Sequence, residues 1–366
     1  MKNYKITKLQ VQNFRNLSNQ LIQFSPKINC ILGENGNGKT NILEAIHVIS
    51  SKKSFRKNQS FPQFLSVDCE KPEIIFSSVF IDFEENPFSY SSKMTSEEMA
   101  FFQNGKPIKK RIDIKTVFIN PFDSYGFHTN SSDRREWIDR YLSLLDEHYK
   151  KTLSRYQTLL KFRNTLLSKK PPKYIDQLKA TIEDFAVLSF EITQKRLQFL
   201  NELAPFMNQT FKELFLEVHD LHINLDSRIG SMSPKDIALM YANQLEKDIE
   251  RSMTSYGPHK DDYVLLFDGF NSFDFCSLGQ QKMSYLSLLF AYIELFRYKY
   301  SSYPIVLIDD VSGELDQHRW RRLVEYLEKS QFQVLVTTAN EKFKEELERI
   351  EGANKIHIKN GSILNQ

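Results

Sequence analysis

The sequence predicts an α/β fold divided by a helical insertion. Three observations carry that expectation. A short apolar strand runs into a glycine-rich loop and then a helix near the N-terminus. A long central stretch repeats its apolar residues at helical spacing. Apolar runs of strand length then return toward the C-terminal end.

The N-terminal part reads as strands. Ile6, Leu9 and Val11 with Phe14 show partial alternation, and residues 27–32 form an apolar run that ends in the glycine loop. The stretch Asn41–Ile49 that follows the loop has helical composition. Residues 71–84 and 117–119 read as further strands. From Leu142 to Leu167 the spacing is helical, and Pro171–Pro172 stops that helix. A second helix carries Ile175, Leu178, Ile182, Phe185, Ser189, Ile192, Arg196, Phe199 and Leu203 at steps of three and four, with Pro205 expected to close it. This seam is heptad-like but interrupted by Ser189 and Arg196. Each helix would be about 40 Å long, so a plain helical bundle and a short coiled arm both fit. Strand character resumes at Val264–Phe267, with Asp268–Gly269 as a hairpin turn. Helix 283–298, strands 304–308 and 334–336, and a hairpin around Asn360–Gly361 complete the chain. The expected division is a head made of residues 1–125 and 255–366, and an inserted lobe of residues 126–254.

Of 366 residues, 41% are hydrophobic and 26% charged, which fits an ordinary globular protein rather than a disordered one. A net charge of +3 is too mild to argue nucleic-acid binding without local patches. Cys30, Cys69 and Cys276 show no metal or disulfide spacing. The N-terminus lacks an apolar signal core, and no apolar run approaches the roughly 20 residues that span a bilayer. Cytoplasmic location without a membrane is the expectation.

The chemistry is concentrated in three segments. Gly33-Glu34-Asn35-Gly36-Asn37-Gly38-Lys39-Thr40 fits G-x-x-x-x-G-K-[ST]. Backbone N–H groups of such a loop cradle phosphates, with help from the positive end of the following helix. Lys39 neutralises the outer phosphates and the Thr40 hydroxyl ligates Mg2+. The implied ligands are ATP and Mg2+. The run Ile305–Ile308 then delivers Asp309 and Asp310 at the C-terminal end of a strand, where open α/β sheets bind ligands. Asp309 is expected at the metal, and Asp310 at the attacking water. Third, Ser277-Leu278-Gly279-Gln280 opens a helix and could hold phosphate; the alternative is a capped helix. One chain seldom needs two such sites for one nucleotide. An ATP-dependent homodimer, in which this segment meets the partner's loop, is the economical solution.

These segments, followed by Gly313-Glu314-Leu315-Asp316, resemble the ABC-type ATPase heads of SMC-like proteins. The finer marks resemble the RecF family. They are Phe14-Arg15-Asn16, the run Lys39–Ile46, Ser54-Phe55-Arg56, Asn104-Gly105-Lys106, Arg134-Arg135, Arg163-Asn164, Gly257-Pro258-His259-Lys260-Asp261-Asp262 and Leu307–Val311. The resemblance implies an SMC-like ATPase that dimerises on ATP, hydrolyses it slowly, and binds single-stranded and gapped duplex DNA. It implies recombinase loading at gaps and stalled forks, a part in replication and in the SOS response, and RecR and RecO as partners. It also adds Asn41 and Asp316 to the nucleotide contacts.

Some positions depart from the family pattern. Gly313 stands where the family has serine, with Ser312 one place earlier. Thr337-Thr338 stands where many ABC ATPases have a switch histidine. Gln103 is read as a metal-sensing or a surface glutamine, and His259 as a structural residue of its turn. For DNA, two basic clusters are candidates: Lys52, Lys53, Arg56 and Lys57, and Lys106, Lys109, Lys110 and Arg111. Each could instead be a solvated loop, and Arg56 could approach the nucleotide. The rival functions are a chromosome-structuring SMC protein, which needs long coiled arms, and a transporter-coupled ATPase, which needs a membrane partner.

Overall fold

The computed structural model describes residues 4–56, 58–120, 123–310 and 315–365. They form two compact units. The first comprises Met1–Phe122, Glu213–Leu216 and Ile293–Gln366, and the second Asp123–Lys212 and Glu217–Tyr292.

The first unit contains two six-stranded sheets. One is antiparallel, in the order β2-β1-β4-β5-β6-β7, from β1 (Lys5–Gln12), β2 (Ile22–Gln23), β4 (Ile74–Ile81), β5 (Pro87–Met94), β6 (Met99–Gln103) and β7 (Lys106–Ile108). The other has the order β15-β14-β3-β13-β12-β8, from β3 (Ile28–Leu32), β8 (Thr116–Ile119), β12 (Ile305–Asp309), β13 (Val334–Thr338), β14 (Asn354–Lys359) and β15 (Ser362–Asn365). Strands β14, β3, β13, β12 and β8 are parallel. Every residue of β3 and β13 is buried, as continuous apolar runs in a parallel sheet require.

Helix α1 (Lys39–Ser51) packs on β8, β12 and β13. Its Ile42, Leu43, Ile46 and Ile49 share one core with Ile6, Leu9 and Phe76 of the antiparallel sheet and with Ile31, Leu307 and Leu335 of the parallel one. This apolar burial fixes the helix that follows the glycine loop. Buried Gln333 adds a polar tie: its side chain exchanges hydrogen bonds with the backbone of Ile6 at 2.8 and 2.7 Å. The unit also holds α2 (Phe61–Phe64), α11 (Gln317–Lys329) and α12 (Glu341–Glu348).

The second unit is mainly helical: α3 (Asp123–Thr129), α4 (Ser131–Leu145), α5 (Glu147–Lys169), α6 (Tyr174–Ala180), most of α7 (Ile182–Phe215), α8 (Pro234–Arg251), α9 (Ser272–Phe275) and the first part of α10 (Leu278–Tyr300). A small sheet of β9 (Leu221–Asp226), β10 (Asp262–Phe267) and β11 (Phe270–Asn271) joins them. Two helix limits differ from the sequence expectation. The chain breaks at Asp146, whose side chain accepts from the Tyr149 N–H and caps α5. Pro205 lies inside α7 rather than ending it. Leu203, Met207, Phe211 and Leu214 are fully buried on either side of it. At roughly 1.5–3 kcal/mol for each large buried side chain, that burial outweighs the roughly 3 kcal/mol an interior proline costs.

Of the two forms left open by the seam, the bundle is the one formed. The Ser189 hydroxyl meets Tyr241 of α8 at 2.8 Å. Arg196, buried, pairs with Asp139 of α4 at 2.8 Å and with Asp261 at 3.0 Å, and donates to the Pro258 carbonyl. The unit runs on to Tyr292, beyond the division expected at 254/255. Part of the reason is β9, for which no strand was expected: β10 pairs with it along its whole length, which holds residues 262–267 in this unit.

His259 sits in a single helical turn, Pro258–Lys260. Its Nδ1 lies 2.6 Å from the Tyr156 hydroxyl and its Nε2 lies 3.1 Å from the Thr254 carbonyl. A neutral ring protonated on Nε2 satisfies both partners. Burial lowers its pKa to about 4, so the folded ring stays neutral where an unfolded one is charged. The stability this contributes is present above the unfolded value near 6.5 and is lost as pH falls toward 4. Urea titrations between pH 6.5 and 5 should show a loss of about 1–2 kcal/mol that His259→Gln protein lacks; equal pH slopes in both would contradict this.

Candidate functional site

The glycine loop leaves the buried end of β3 and enters α1 directly. Gly36 and Gly38 take φ of 81° and 104°, which disfavour any residue with a Cβ. A Cβ on Gly38 would also come within 2.9 Å of Asn16 Oδ1, and one on Gly33 would run into the Ile358 carbonyl. Gly38 is the N-cap of α1 and supplies no side-chain cap, so the helix N-terminus offers its N–H groups to a ligand. Glu34, Asn35 and Gly36 are exposed. The Lys39 ammonium folds back and donates to the carbonyls of Gly33 and Glu34 at 2.8 and 2.9 Å. Burial lowers its pKa, opposed by the charges of Asp310 and Asp309.

The loop is braced from behind. The turn at Asn360–Gly361 donates both backbone N–H groups to Asn37, one to its side chain and one to its carbonyl. Asn16 donates to the Gly36 carbonyl, and Asn41 donates to Asn16 at 2.8 Å. The side chains of Asn37 and Asn41 therefore shape the loop, and their backbone N–H groups turn back onto the Glu34 and Gly38 carbonyls at 3.4 and 3.0 Å.

Thr40 and Asp309, both expected at a metal, lie side by side. The Thr40 hydroxyl lies 2.9 and 3.0 Å from the two carboxylate oxygens of Asp309. Burial raises the Asp309 pKa; the hydroxyls of Thr337 and Thr40 pull it down and Asp310 raises it. Two hard oxygen donors this close fit Mg2+, which takes few protein ligands and completes its shell with phosphate and water. The described residues contain no cluster of three or more His, Cys, Asp or Glu placed to hold a metal ion. Asp310 has φ of 44°. Its N–H donates to the Thr337 carbonyl and hydroxyl, at 3.2 and 3.1 Å.

One residue of this region was not singled out in the sequence. Glu44, on the buried face of α1, is fully buried and pairs with Arg15 at 2.9 Å and Arg56 at 3.3 Å. The Ser54 hydroxyl donates to it at 2.5 Å. Arg56 also donates to Asn41 at 2.8 Å, so this candidate DNA contact is engaged beside the loop. An acid among the apolar positions of α1 was the signal available in the sequence.

One residue of each basic cluster, Lys52 and Arg111, reaches the C-terminal end of α1. The Lys52 ammonium lies over the Phe101 ring, 4.9 Å from its centre. Arg111 donates to the Ser50 carbonyl. Lys53, Lys106, Lys109 and Lys110 are exposed. Lys57, Ser312 and Gly313 lie outside the described residues.

In the second unit, Ser277 opens α10. Its N–H and hydroxyl donate to Gln280 Oε1 at 2.9 and 3.1 Å, and the Gln280 N–H returns to the hydroxyl. This is a capping box, with Ser277 exposed. Asp316 caps α11 by accepting from the Arg319 N–H at 2.9 Å. Gln103 ends β6 and pairs with Lys106 across a tight turn. Cys30, Cys69 and Cys276 are unpaired. No helix among the described residues is long and apolar enough to cross a membrane.

Residues 5–360 match the family model described as "RecF/RecN/SMC N terminal domain". The chain belongs to the RecF family. A RecF-family relative from Streptococcus thermophilus, named "DNA replication and repair protein RecF", is 30% identical over 92% of each chain. One of the same name from Staphylococcus carnosus is 29% identical, covering 92% of this chain and 93% of its own. A solved structure described as the "recombination mediator protein RecF-ATP in RecFOR pathway" superposes with a TM-score of 0.85 at 25% identity, covering all of this chain and 98% of its own. An SMC head bound to a winged-helix domain of ScpA gives 0.58 at 14% identity and shares the fold. The expected ABC-type, SMC-like ATPase head is therefore the fold of this RecF-family chain.

Because Glu44 is the buried counter-charge for both Arg15 and Arg56, Glu44→Gln should lower the free energy of unfolding by about 1–3 kcal/mol in urea titrations. An unchanged midpoint would show that the two guanidiniums do not depend on it.

Proposed function

We propose that this RecF-family chain binds ATP with Mg2+ at Gly33–Thr40 and uses it to close a homodimer on DNA, in replication and recombinational repair. The observation that carries this reading is the Thr40–Asp309 contact at the mouth of the loop. It sits in a chain whose relatives are named for replication and repair and whose structural relative is an ATP-bound RecF.

In this reading the backbone of residues 33–41 holds the phosphates, and Lys39 turns from the Gly33 and Glu34 carbonyls to the outer ones. Thr40 and Asp309 hold the metal, which when bound neutralises charge on the transferring phosphate. Asp310 orients the attacking water, and slow, DNA-dependent hydrolysis reopens the dimer. Ser277, Gly279, Gln280 and Asp316 of a second copy complete the site. Lys52, Lys53, Lys109 and Lys110 give salt-dependent contacts to the phosphates of single-stranded and gapped duplex DNA. The description of the structural relative as a recombination mediator in the RecFOR pathway supports recombinase loading with RecR and RecO as partners; action at gaps and stalled forks, a role in SOS induction and a cytoplasmic location belong to the same family reading. A chromosome-structuring role would need long coiled arms, whereas α7, the longest helix among the described residues, has 34 residues.

Sedimentation with and without ATP tests the reading. Wild type should pass from monomer to dimer on adding ATP and Mg2+. Lys39→Ala should lose both ATP binding and dimerisation, and Ser277→Arg should bind ATP yet remain monomeric. If either variant dimerised with ATP as fully as wild type, the shared site would be wrong.

A further inference from the structure

Thr337, in the stretch where many ABC ATPases have a switch histidine, places a buried hydroxyl in the parallel sheet. Strand β13 lies between β3, which delivers the glycine loop, and β12, which delivers Asp309 and Asp310. The register sets Thr337 opposite Ile31 on one side and Asp309 on the other. Thr337 is fully buried. Its hydroxyl donates to Asp309 Oδ1 at 2.7 Å and accepts from the Asp310 N–H at 3.1 Å. A hydroxyl has one proton to give and lone pairs to accept with, so it makes both bonds at once.

We propose that Thr337 is a positioning residue of the nucleotide site: one buried hydroxyl aims the Asp309 carboxylate at Thr40 and holds the backbone of Asp310 in its left-handed conformation. The proposal rests on the ATP and Mg2+ reading of that site. Valine would fill the same space in the strand without the cost of burying a hydroxyl, so what threonine adds is these two bonds. The last torsion of an aspartate is broad and two-fold when nothing restrains it. Here Oδ1 accepts from both Thr337 and Thr40 while Oδ2 accepts from Thr40 alone. The second bond on Oδ1 selects one orientation of the carboxylate.

The second role concerns Asp310. A φ of 44° is uncommon for residues with a Cβ, and aspartate adopts it where local hydrogen bonds hold it. Both the carbonyl and the hydroxyl of Thr337 accept from its N–H, which holds the turn at the strand end. The two acids are thereby set by one residue on the neighbouring strand, independently of the nucleotide. Thr337 touches no phosphate in this account. It acts through Asp309 and Asp310, in contrast to a histidine that would reach a phosphate directly.

The test is the Mg2+ dependence of ATP binding by the full chain, measured for wild type, Thr337→Val and Thr337→Ser across a series of free Mg2+ concentrations and in EDTA. Loss of a bond to a carboxylate should raise the Mg2+ concentration for half-maximal ATP binding by about tenfold in Thr337→Val, with ATP affinity in EDTA within about twofold of wild type. Thr337→Ser, which keeps the hydroxyl, should return the Mg2+ midpoint to within about threefold of wild type. Thr337→Cys, with a much weaker donor, should behave as the valine variant does and replaces it if valine does not fold. An unchanged midpoint in Thr337→Val, a serine variant as defective as valine, or an equal loss of affinity in EDTA would each overturn the proposal. Wild type that bound no ATP would overturn the site reading as well, so the two failures are distinguishable.

Discussion

Thr40 and Asp309 are 269 positions apart in the chain and meet at 2.9 Å. That contact requires the parallel sheet to hold its register. β3 must end where the glycine loop begins, and β12 must end two strands away at the same level, with β13 between them. The buried face of α1 fixes the other coordinate, because Ile42, Leu43 and Ile46 seat the helix in the core shared by both sheets. The hydroxyl and the carboxylate are thus brought together by apolar packing around them. Each half alone is an ordinary strand end or helix start.

Polar side chains then restrain what the packing leaves loose. Asn360–Gly361 and Asn16 hold the back of the loop, Thr337 holds both acids, and Glu44 gathers Arg15 and Arg56 against α1. Arg56 links outward to the basic segment at residues 52–56 and inward to Asn41 at the first turn of α1. The C-terminal end of the same helix collects Lys52 and Arg111. One helix therefore carries the proposed phosphate site at its start and the proposed DNA-facing charges at its end.

The parts legible in the sequence were those set by local pattern. The glycine loop announces itself by spacing, and Asp309 by the apolar run that buries β12. The parts that were not legible depend on distant partners. Thr337 reads as a departure from a switch histidine until the register places Asp309 beside it. Glu44 reads as a helix former until Arg15 and Arg56 arrive from two other segments. Pro205 carries a local signal to stop, which the buried residues on either side of it override. The expected division at 254/255 leaves β9 out, although its alternation of Leu221, Ile223 and Leu225 with His222, Asn224 and Asp226 is a strand pattern; what no local pattern shows is its pairing with β10 on the far side of α8. Ser277 is the reverse case. Its capping box was visible, and the structure shows the cap formed within its own helix, so its role toward a second chain rests on the dimer.

The central claim is that ATP at one loop is completed by Ser277–Gln280 of another copy. Hydrogen–deuterium exchange with Mg2+ and ATP, repeated over a range of protein concentrations, tests it most directly. Residues 33–41 should be protected whenever nucleotide is bound, and residues 277–281 should gain protection that grows with protein concentration. Protection of residues 277–281 that is absent, or the same at every concentration while residues 33–41 are protected, would contradict the account.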